Sequence, residues 1–380
     1  MREVGLLGSD VRGCHGDPAA IVATVPRRSS ALGGRGSDYA QLSRQVRAAG
    51  LLARRPGYYR VRIGLTVGLW AAGWMAFALL GRSWWQLAIA AFMAVMFAQA
   101  GFLGHDAGHR QVFVSRRANE ALGMWCATLL VGLSYSWWID KHNRHHAHPN
   151  QVDSDPDIAG AAIAFTAAQA GARRSGAGRW VARHQSVLFF PMLLLEGLSL
   201  HISSVQALFE RRGERNRTWW VESLLLAGHF GGYFVAVFWV LPVGQAVAFI
   251  AVHQGLLGVY LGCSFAPGHK GMPLLGGDVG GATDLDFLRR QVLTSRNIRG
   301  SRTLDVAMGA LNYQIEHHLF PSMPSPTLRR AQPLVRAFCL SRNLPYHESS
   351  LTGSYAQVLR YLHNVGAITK PQISAQLEES

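Results

Sequence analysis

Three short stretches of this chain concentrate histidine at helical spacing: HDAGH at 105–109, HNRHH at 142–146 and QIEHH at 314–318. Residues three or four apart on a helix share a face. His105 would therefore sit with His109, His142 with His145 and His146, and Gln314 with His317 and His318. Neutral imidazole is the commonest metal ligand and suits iron, zinc and copper. Three such turns, far apart in sequence, can close around one or two metal ions. Half or more of the 16 histidines lie in or beside these stretches, which separates them from chance pairs on exposed helices. A centre rich in histidine and poor in carboxylate suits dioxygen activation by iron or hydrolysis by zinc-bound water. The seven clustered histidines, or eight with His269, exceed the three protein ligands of a catalytic zinc and fit two metals.

The elements that must position these residues read as a membrane body. Ile63 to Leu80 and Trp84 to Leu103 carry no charge, and each is long enough to cross a hydrocarbon core of about 30 Å. The link between them is Gly81-Arg82-Ser83, so they should form a tight hairpin, with Trp84 and Trp85 at the interface. A second hairpin is expected from 221–241 and 244–263, joined by Pro242 and Val243. Two further apolar stretches, 121–138 and 187–205, are read as interfacial or re-entrant helices. If 121–138 crossed, the first two clusters would face opposite sides and could share no site. Glu196 and His201 make 187–205 the most polar stretch, and Glu222 and His229 are polar exceptions inside the third span. His269, in FAPGHKGMP, falls just past the last span and at the depth of the clusters, which makes it a further candidate ligand. Residues 39–60 read as a short amphipathic helix and 284–312 as a helix leading into the third cluster, which Pro321 ends.

The expected fold class is thus an all-α integral membrane protein: four transmembrane helices in two hairpins, with a cytosolic helical cap holding a di-metal site. Residues 1–38 read as a loosely attached basic tail, 39–345 as the membrane domain and 346–380 as an amphipathic and polar tail. The formal charge of +15, from 37 Lys and Arg against 22 Asp and Glu, is explained by arginines flanking spans on the cytoplasmic side and facing anionic headgroups. The short outer links hold only Arg82, so N-terminus, C-terminus and clusters are placed in the cytoplasm and the chain in the cell membrane. Beyond net charge nothing supports nucleic-acid binding. Cys14, Cys126, Cys263 and Cys339 form no C-x-x-C pair, so neither an iron–sulfur site nor a disulfide framework is indicated. Residues 1–40 hold no continuous apolar run of the kind a signal peptide needs.

HDAGH, HNRHHAHPN, FAPGHKGMP and NYQIEHHLFP, in this order and spacing, resemble the signatures of membrane fatty acid desaturases over about residues 60–340. The glutamine opening the third box resembles the linoleoyl-CoA or front-end type and its actinobacterial acyl-CoA relatives. The resemblance implies a di-iron centre, dioxygen as oxidant, a fatty acyl-CoA or acyl-lipid substrate and a cis double bond as product. Carried over by position, it implies His105, His109, His142, His145, His146, His269, His317 and His318 as iron ligands. Gln314 stands where many members have histidine; its amide oxygen could ligate directly or through water. Asp106 and Glu316 are candidate acceptors for ligand N–H groups, and His148 a neighbour of the ligands. His184, His201, His229 and His253 are not expected to ligate. The acidic DSDPD run at 153–157 reads equally as support for the ligands or as a solvated turn. No H-P-G-G haem motif occurs, so the electrons are expected from a separate ferredoxin–reductase or cytochrome b5-type donor, which the basic face would attract.

The nearest rival is hydroxylation of a lipid or hydrocarbon at the same kind of centre. A zinc-dependent lipid hydrolase would need zinc and no oxygen. A metal transporter would want ionisable residues inside the spans, whereas these clusters lie at span ends.

Overall fold

The computed structural model describes residues 37–160, 162–173, 176–213, 215–276 and 285–368; the tail expected before residue 37 and the polar end after 368 lie outside them. Among the described residues, four helices are long and apolar enough to cross a membrane: α2 (Pro56–Leu80), α3 (Gln86–Gly108), α9 (Arg217–Val240) and α10 (Val243–His269). They match the four runs read from sequence, with Trp84, Trp85 and Leu241 falling just outside the helices. Counting each of two bent pairs as one span would raise the number to six. Side chains such as Leu65, Leu79, Leu224, Val235 and Val247 stand exposed along the long helices, as a surface solvated by lipid tails requires. Trp84, Trp85 and Trp239 are exposed near the helix ends, where amphipathic rings meet headgroups.

The rings of Phe77, near the end of α2, and Phe249, near the start of α10, lie 5.0 Å apart. That contact puts both short links at one end of the bundle. Gln86 ties the first link down, its Nε2 donating to the carbonyls of Phe77 at 2.7 Å and Gly81 at 2.9 Å. The far ends of α3 and α10 carry His105, His109 and His269.

The run at 121–138 is broken. α4 (Arg116–Met124) continues into a π-helical turn, Trp125–Val131, which stops at Gly132 with φ of 84°. α5 (Tyr135–Ala147) then leaves at 112° to the preceding helix, carrying HNRHH. The π turn leaves carbonyls without helical partners, and two histidines meet them: His229 Nδ1 donates to Leu129 O and His201 Nε2 to Val131 O, both at 2.8 Å. Glu222, the polar exception in the third span, serves a neighbouring helix. It is fully buried, and its Oε1 accepts from Ser134 Oγ at 2.8 Å and Ser136 N at 2.9 Å, at the N-terminus of α5.

Three other expectations are corrected. The helix expected over 39–60 is α1 (Asp38–Ala48); the chain turns at Gly50 with φ of 66°, and Pro56 opens α2, the first helical position being where proline is tolerated. The stretch 187–205 is two helices after the short α6 (Ala167–Gly171), namely α7 (Gly176–Leu193) and α8 (Glu196–Glu210), bent by 81°. Pro191 has no N–H to continue the first of them. At the bend Gly197 and Gly258 meet so closely that a Cβ on Gly258 would lie 2.3 Å from Leu193 O. The continuous helix expected over 284–312 is instead α11 (Phe287–Leu293), strand β1 (Asn297–Arg299) and α12 (Arg302–Ala307). The hydrogen bonds of β1 leave the local segment: it pairs in parallel with β2 (Glu348–Ser350), so the fold is not purely helical. α13 (Gln314–Leu319) carries QIEHH, α14 (Ser325–Ser341) follows Pro321, and α15 (Leu351–Ala367) packs against α7 and α10. One apolar core lies among the long helices and the π turn, around Phe97, Val131, Val237 and Leu257. Another lies among α1, α11, α13 and α14, around Leu42, Val292, Ile315 and Leu328.

Candidate metal centre

The histidine stretches, 213 positions apart at their extremes, meet in one place. The donor atoms of His105, His109, His142 and His317 all lie within 4.8 Å of one another, and so do those of His145, His269 and His318. α5 joins the two groups, since it gives His142 to one and His145 to the other. His146 stands between them: its ring stacks on His318 at 4.1 Å and lies 4.7 Å from the rings of both His109 and His317. All eight histidines named from the sequence are thus brought together.

Each delivery has a local cause. His105 rides the last turn of α3, where α3 packs on α5; a Cβ on Gly108 would lie 2.9 Å from Ile139. Trp138 stacks on the His142 ring at 4.6 Å and stands 5.7 Å from His105. His269 is the last helical residue of α10, not a residue beyond it. Pro267 lies in that final turn, and the buried Arg296 braces it, its Nε donating to Pro267 O at 2.9 Å and its Nη2 to Lys270 O at 3.0 Å. Asn150 Nδ2 donates to His269 O at 3.1 Å.

Hydrogen bonds at the far ring nitrogens set the tautomers. His145 Nδ1 lies 3.0 Å from both Asp155 carboxylate oxygens. His269 Nδ1 is 3.0 Å from Thr294 O, and His318 Nδ1 is 2.9 Å from Gln291 Oε1. A carbonyl or carboxylate oxygen can only accept, so each Nδ1 carries the proton and each Nε2 presents a lone pair to the others. His145 Nε2 and His269 Nε2 approach to 3.3 Å, and the Gln314 amide lies 2.7 Å from His269 Nε2.

Several buried nitrogens have no partner: both of His105, Nδ1 of His146, and Nε2 of His317 and His318. Unpartnered buried polar atoms are costly and uncommon, and here His105, His317 and His318 belong to the two groups whose donor atoms converge. Burial first, and neighbouring imidazoles second, hold His142, His146, His317 and His318 well below the ordinary histidine range. They are therefore neutral at pH 7, as metal ligation requires. The donor set fits one or two borderline transition-metal ions.

The remaining candidates fall differently. Asp106 accepts from Ser325 Oγ at 2.7 Å and Tyr59 OH at 3.2 Å, and stands 3.5 Å from His105 Nδ1 and from Arg62. Glu316 turns away from the histidines: it accepts from Asn297 Nδ2 at 2.7 Å and Tyr346 OH at 2.6 Å. Burial pushes its carboxyl up to about 7. His148 bonds Gln151 at 3.0 Å, and its ring touches none of the clustered rings. His184 bonds Trp180 O. His201, His229 and His253 lie among the long helices, outside both groups. Sequence reading missed Gln291 and Thr294, whose only trace is a short helix ahead of the third box. It weighed Asp155 without choosing; the DSDPD run beside a histidine box was the signal. Burial would raise the Asp155 carboxyl, but the interaction with His145 and the Lys270 ammonium together hold it below the usual range. Asp157 pairs with Lys141 at 2.8 Å.

A family model described as fatty acid desaturase matches residues 82–350. Among curated proteins, an acyl-lipid (9-3)-desaturase of Physcomitrium patens is 30% identical over 305 residues, 75% of this chain and 54% of that protein, so the chain spans about half that relative's length. A delta(6)-fatty-acid desaturase of Caenorhabditis elegans is 29% identical over 339 residues, covering 86% of this chain and 74% of its own. A delta(8)-fatty-acid desaturase of Borago officinalis is 25% identical over 338 residues, with the same two shares, 86% and 74%. With the family match spanning most of the chain and all its histidine stretches, the chain belongs to the membrane fatty acid desaturase family.

Proposed function

We propose that this chain desaturates a fatty acyl chain, on a CoA thioester or a lipid, introducing a cis double bond at a di-iron centre with electrons from a separate redox protein. The observation that carries the proposal is the pair of adjoining histidine groups, with neutral rings and unpartnered nitrogens, in a chain of this family. His105, His109, His142 and His317 would hold one ion, and His145, His269 and His318 the other. His146 lies between them, and the Gln314 side chain, whose Nε2 stands 2.7 Å from His269 Nε2, would ligate through its amide oxygen only after the amide turns over. When bound, iron supplies dioxygen activation strong enough to break an unactivated C–H bond. In balance, two hydrogens leave adjacent methylenes; with two electrons and two protons from the donor side, dioxygen becomes two waters.

The chain's own residues do the rest. Asp155, Thr294 O and Gln291 hold three rings with Nε2 inward. Trp138 closes one side of His142 and His105 with an apolar face that keeps water off the ligands. The long helices hold the acyl chain against the centre, and fixing one bond there selects the position attacked. The delta(6)- and delta(8)-fatty-acid desaturases among its relatives support an attack toward the carboxyl end of the acyl chain. The centre and both termini are assigned to the cytoplasmic side of the cell membrane, where the basic surface would dock an acidic donor.

The test is expression in a bacterial host with a matched electron donor, beside His145→Ala, and fatty-acid analysis by gas chromatography–mass spectrometry. A new unsaturated species absent from the variant is the expected result. Hydroxylated acids would move the activity to the sister reaction. Activity that needs zinc and no oxygen would overturn the proposal.

A further inference from the structure

The two histidine groups are built differently. In the group of His145, His269 and His318 every ring is held from behind, by Asp155 at 3.0 Å, Thr294 O at 3.0 Å and Gln291 at 2.9 Å. These acceptors are themselves fixed. Asp155 Oδ2 accepts from Asn150 N at 2.8 Å and Oδ1 from Asp157 N at 2.9 Å. Gln291 Nε2 donates to His146 O at 2.9 Å, and Thr294 Oγ1 to Arg290 O at 2.8 Å. In the group of His105, His109, His142 and His317 the rings lean on one another. His109 Nε2 lies 2.9 Å from His142 Nε2, which lies 3.1 Å from His146 Nε2. The nearest carboxylate, Asp106, stays 3.5 Å from His105 Nδ1 and shares its charge with Arg62, also at 3.5 Å.

From this asymmetry we infer that the two groups differ in metal affinity: His145, His269 and His318 hold a tight ion, and His105, His109, His142 and His317 an exchangeable one. The inference rests on the two-ion reading above. Both groups must part ring nitrogens that now meet, His145 and His269 Nε2 at 3.3 Å in the first and His109 and His142 Nε2 at 2.9 Å in the second. The first group differs in that acceptors behind its three rings already fix the tautomers with Nε2 as the ligating nitrogen. A fourth imidazole favours the second group, but partners that orient metal-bound histidines are worth about 10–100-fold in affinity apiece, and the first group has three. Asp155 also adds a carboxylate behind His145, which raises the basicity of that ring. Asp155 and Gln291 are thus positioning residues: they act through His145 and His318.

The test uses the full-length chain in detergent, freed of metal and loaded anaerobically with ferrous ion. Bound iron is counted by mass spectrometry before and after challenge with a graded ferrous chelator. The expected result is two ions per chain, leaving in separate steps. His105→Ala should lose only the easily removed ion. Asp155→Asn and Gln291→Met, which alter different elements, should each weaken the retained ion about 10–100-fold, while Gln291→Glu, which keeps the acceptor, should preserve it. Circular dichroism of the metal-free variants separates misfolding from metal loss, and agreement between the two sites makes a shared folding defect an inadequate explanation. Uptake of fewer than two ions would overturn the two-ion reading. Two ions that leave together, or a retained ion lost in His105→Ala and kept in both other variants, would overturn this inference alone.

Discussion

Histidine is used in two ways in this protein, and the contrast explains which histidines make a site. His201 and His229, among the long helices, each spend a ring N–H on a carbonyl that the π turn leaves open. His253 Nδ1 accepts from Tyr233 OH at 2.9 Å. The first two rings serve the backbone and the third a tyrosine, and the nearest ring neighbours of all three are aromatic, such as Phe97 at 4.4 Å from His253. At the far end of α3 and α10 the ring nitrogens face each other and several face nothing. A buried imidazole whose neighbours are aromatic rings is a structural member, even when it bonds a carbonyl. Buried imidazoles whose other nitrogens converge on one another form a site suited to a cation. Sequence spacing separates most of them: the long-helix histidines are 28 and 24 positions apart, whereas all the ligand candidates except His269 lie within four positions of another.

The largest effect that would test this contrast is the removal of a clustered ring. His145→Ala should abolish product formation, a loss of at least about 100-fold given that even partners of ligands cost 10–100-fold. It should also lower bound iron per chain, with the unfolding midpoint of the metal-free protein nearly unchanged. Retention of both iron and activity would break the contrast.

Acidification comes next. His142, His146, His317 and His318 are held neutral in the fold, with values well below the unfolded 6.5. The unfolded chain therefore binds more protons below about pH 6.5, and stability must rise with pH in that window. Each histidine contributes a slope approaching about 1.4 kcal/mol per pH unit, so four approach about 5. Glu316 works the other way. Pushed up to about 7, it keeps a proton that the unfolded chain has lost, so stability falls as pH rises from about 4.3 to 7, by at most about 1.4 kcal/mol per unit. Four groups against one leave a net gain. Denaturant unfolding of the metal-free protein in detergent should show stability climbing steeply from pH 5 to 6.5. A flat profile would mean that the rings are not buried neutral.

What was legible in the sequence follows from range. Apolar runs of 18 residues or more with at most one charge have one physical reading, and each of the four long helices covers nearly all of the run named for it. The box histidines were legible because helical spacing groups them locally and one centre is the simplest use for all three groups. The break at Gly132 was reached only through topology, since nothing local distinguishes a π turn from an α-helix. The segment 284–312 was misread as one helix because β1 gains its partner 51 residues later, at Glu348. Gln291 and Thr294 were invisible for the same reason: their roles exist only after α11 folds against α13 and α10. Asp155 could have been chosen, since an acidic residue ten positions past His145 is the natural acceptor for a ligand N–H.

Glu222 lies on the boundary between the two uses, as a carboxylate among the long helices that serves the site's helix. It accepts from Ser134 Oγ and Ser136 N and so satisfies the start of α5. Glu222→Ala leaves those donors buried without an acceptor and should cost about 1–3 kcal/mol. Because α5 carries His142, His145 and His146 as one unit, activity should fall with stability, by a factor near ten. A variant that loses stability while keeping full activity would show that α5 is aimed by Trp138 packing and not by its N-terminus.

The smallest effect is the sharpest on the meaning of the contrast. His201→Phe keeps the ring's bulk and removes the N–H that meets Val131 O at 2.8 Å. An unpaired buried carbonyl costs about 1–3 kcal/mol, but Gly132 limits relief, since a Cβ there would lie 3.2 Å from His201 Nε2 and the backbone is already tight. The midpoint of unfolding should drop by a few degrees, with two irons still bound and the product unchanged. Iron lost along with stability would mean that the π turn is a hinge for the whole second box. In that case the two kinds of histidine would be one coupled system, joined through the six residues from Gly132 to Trp137.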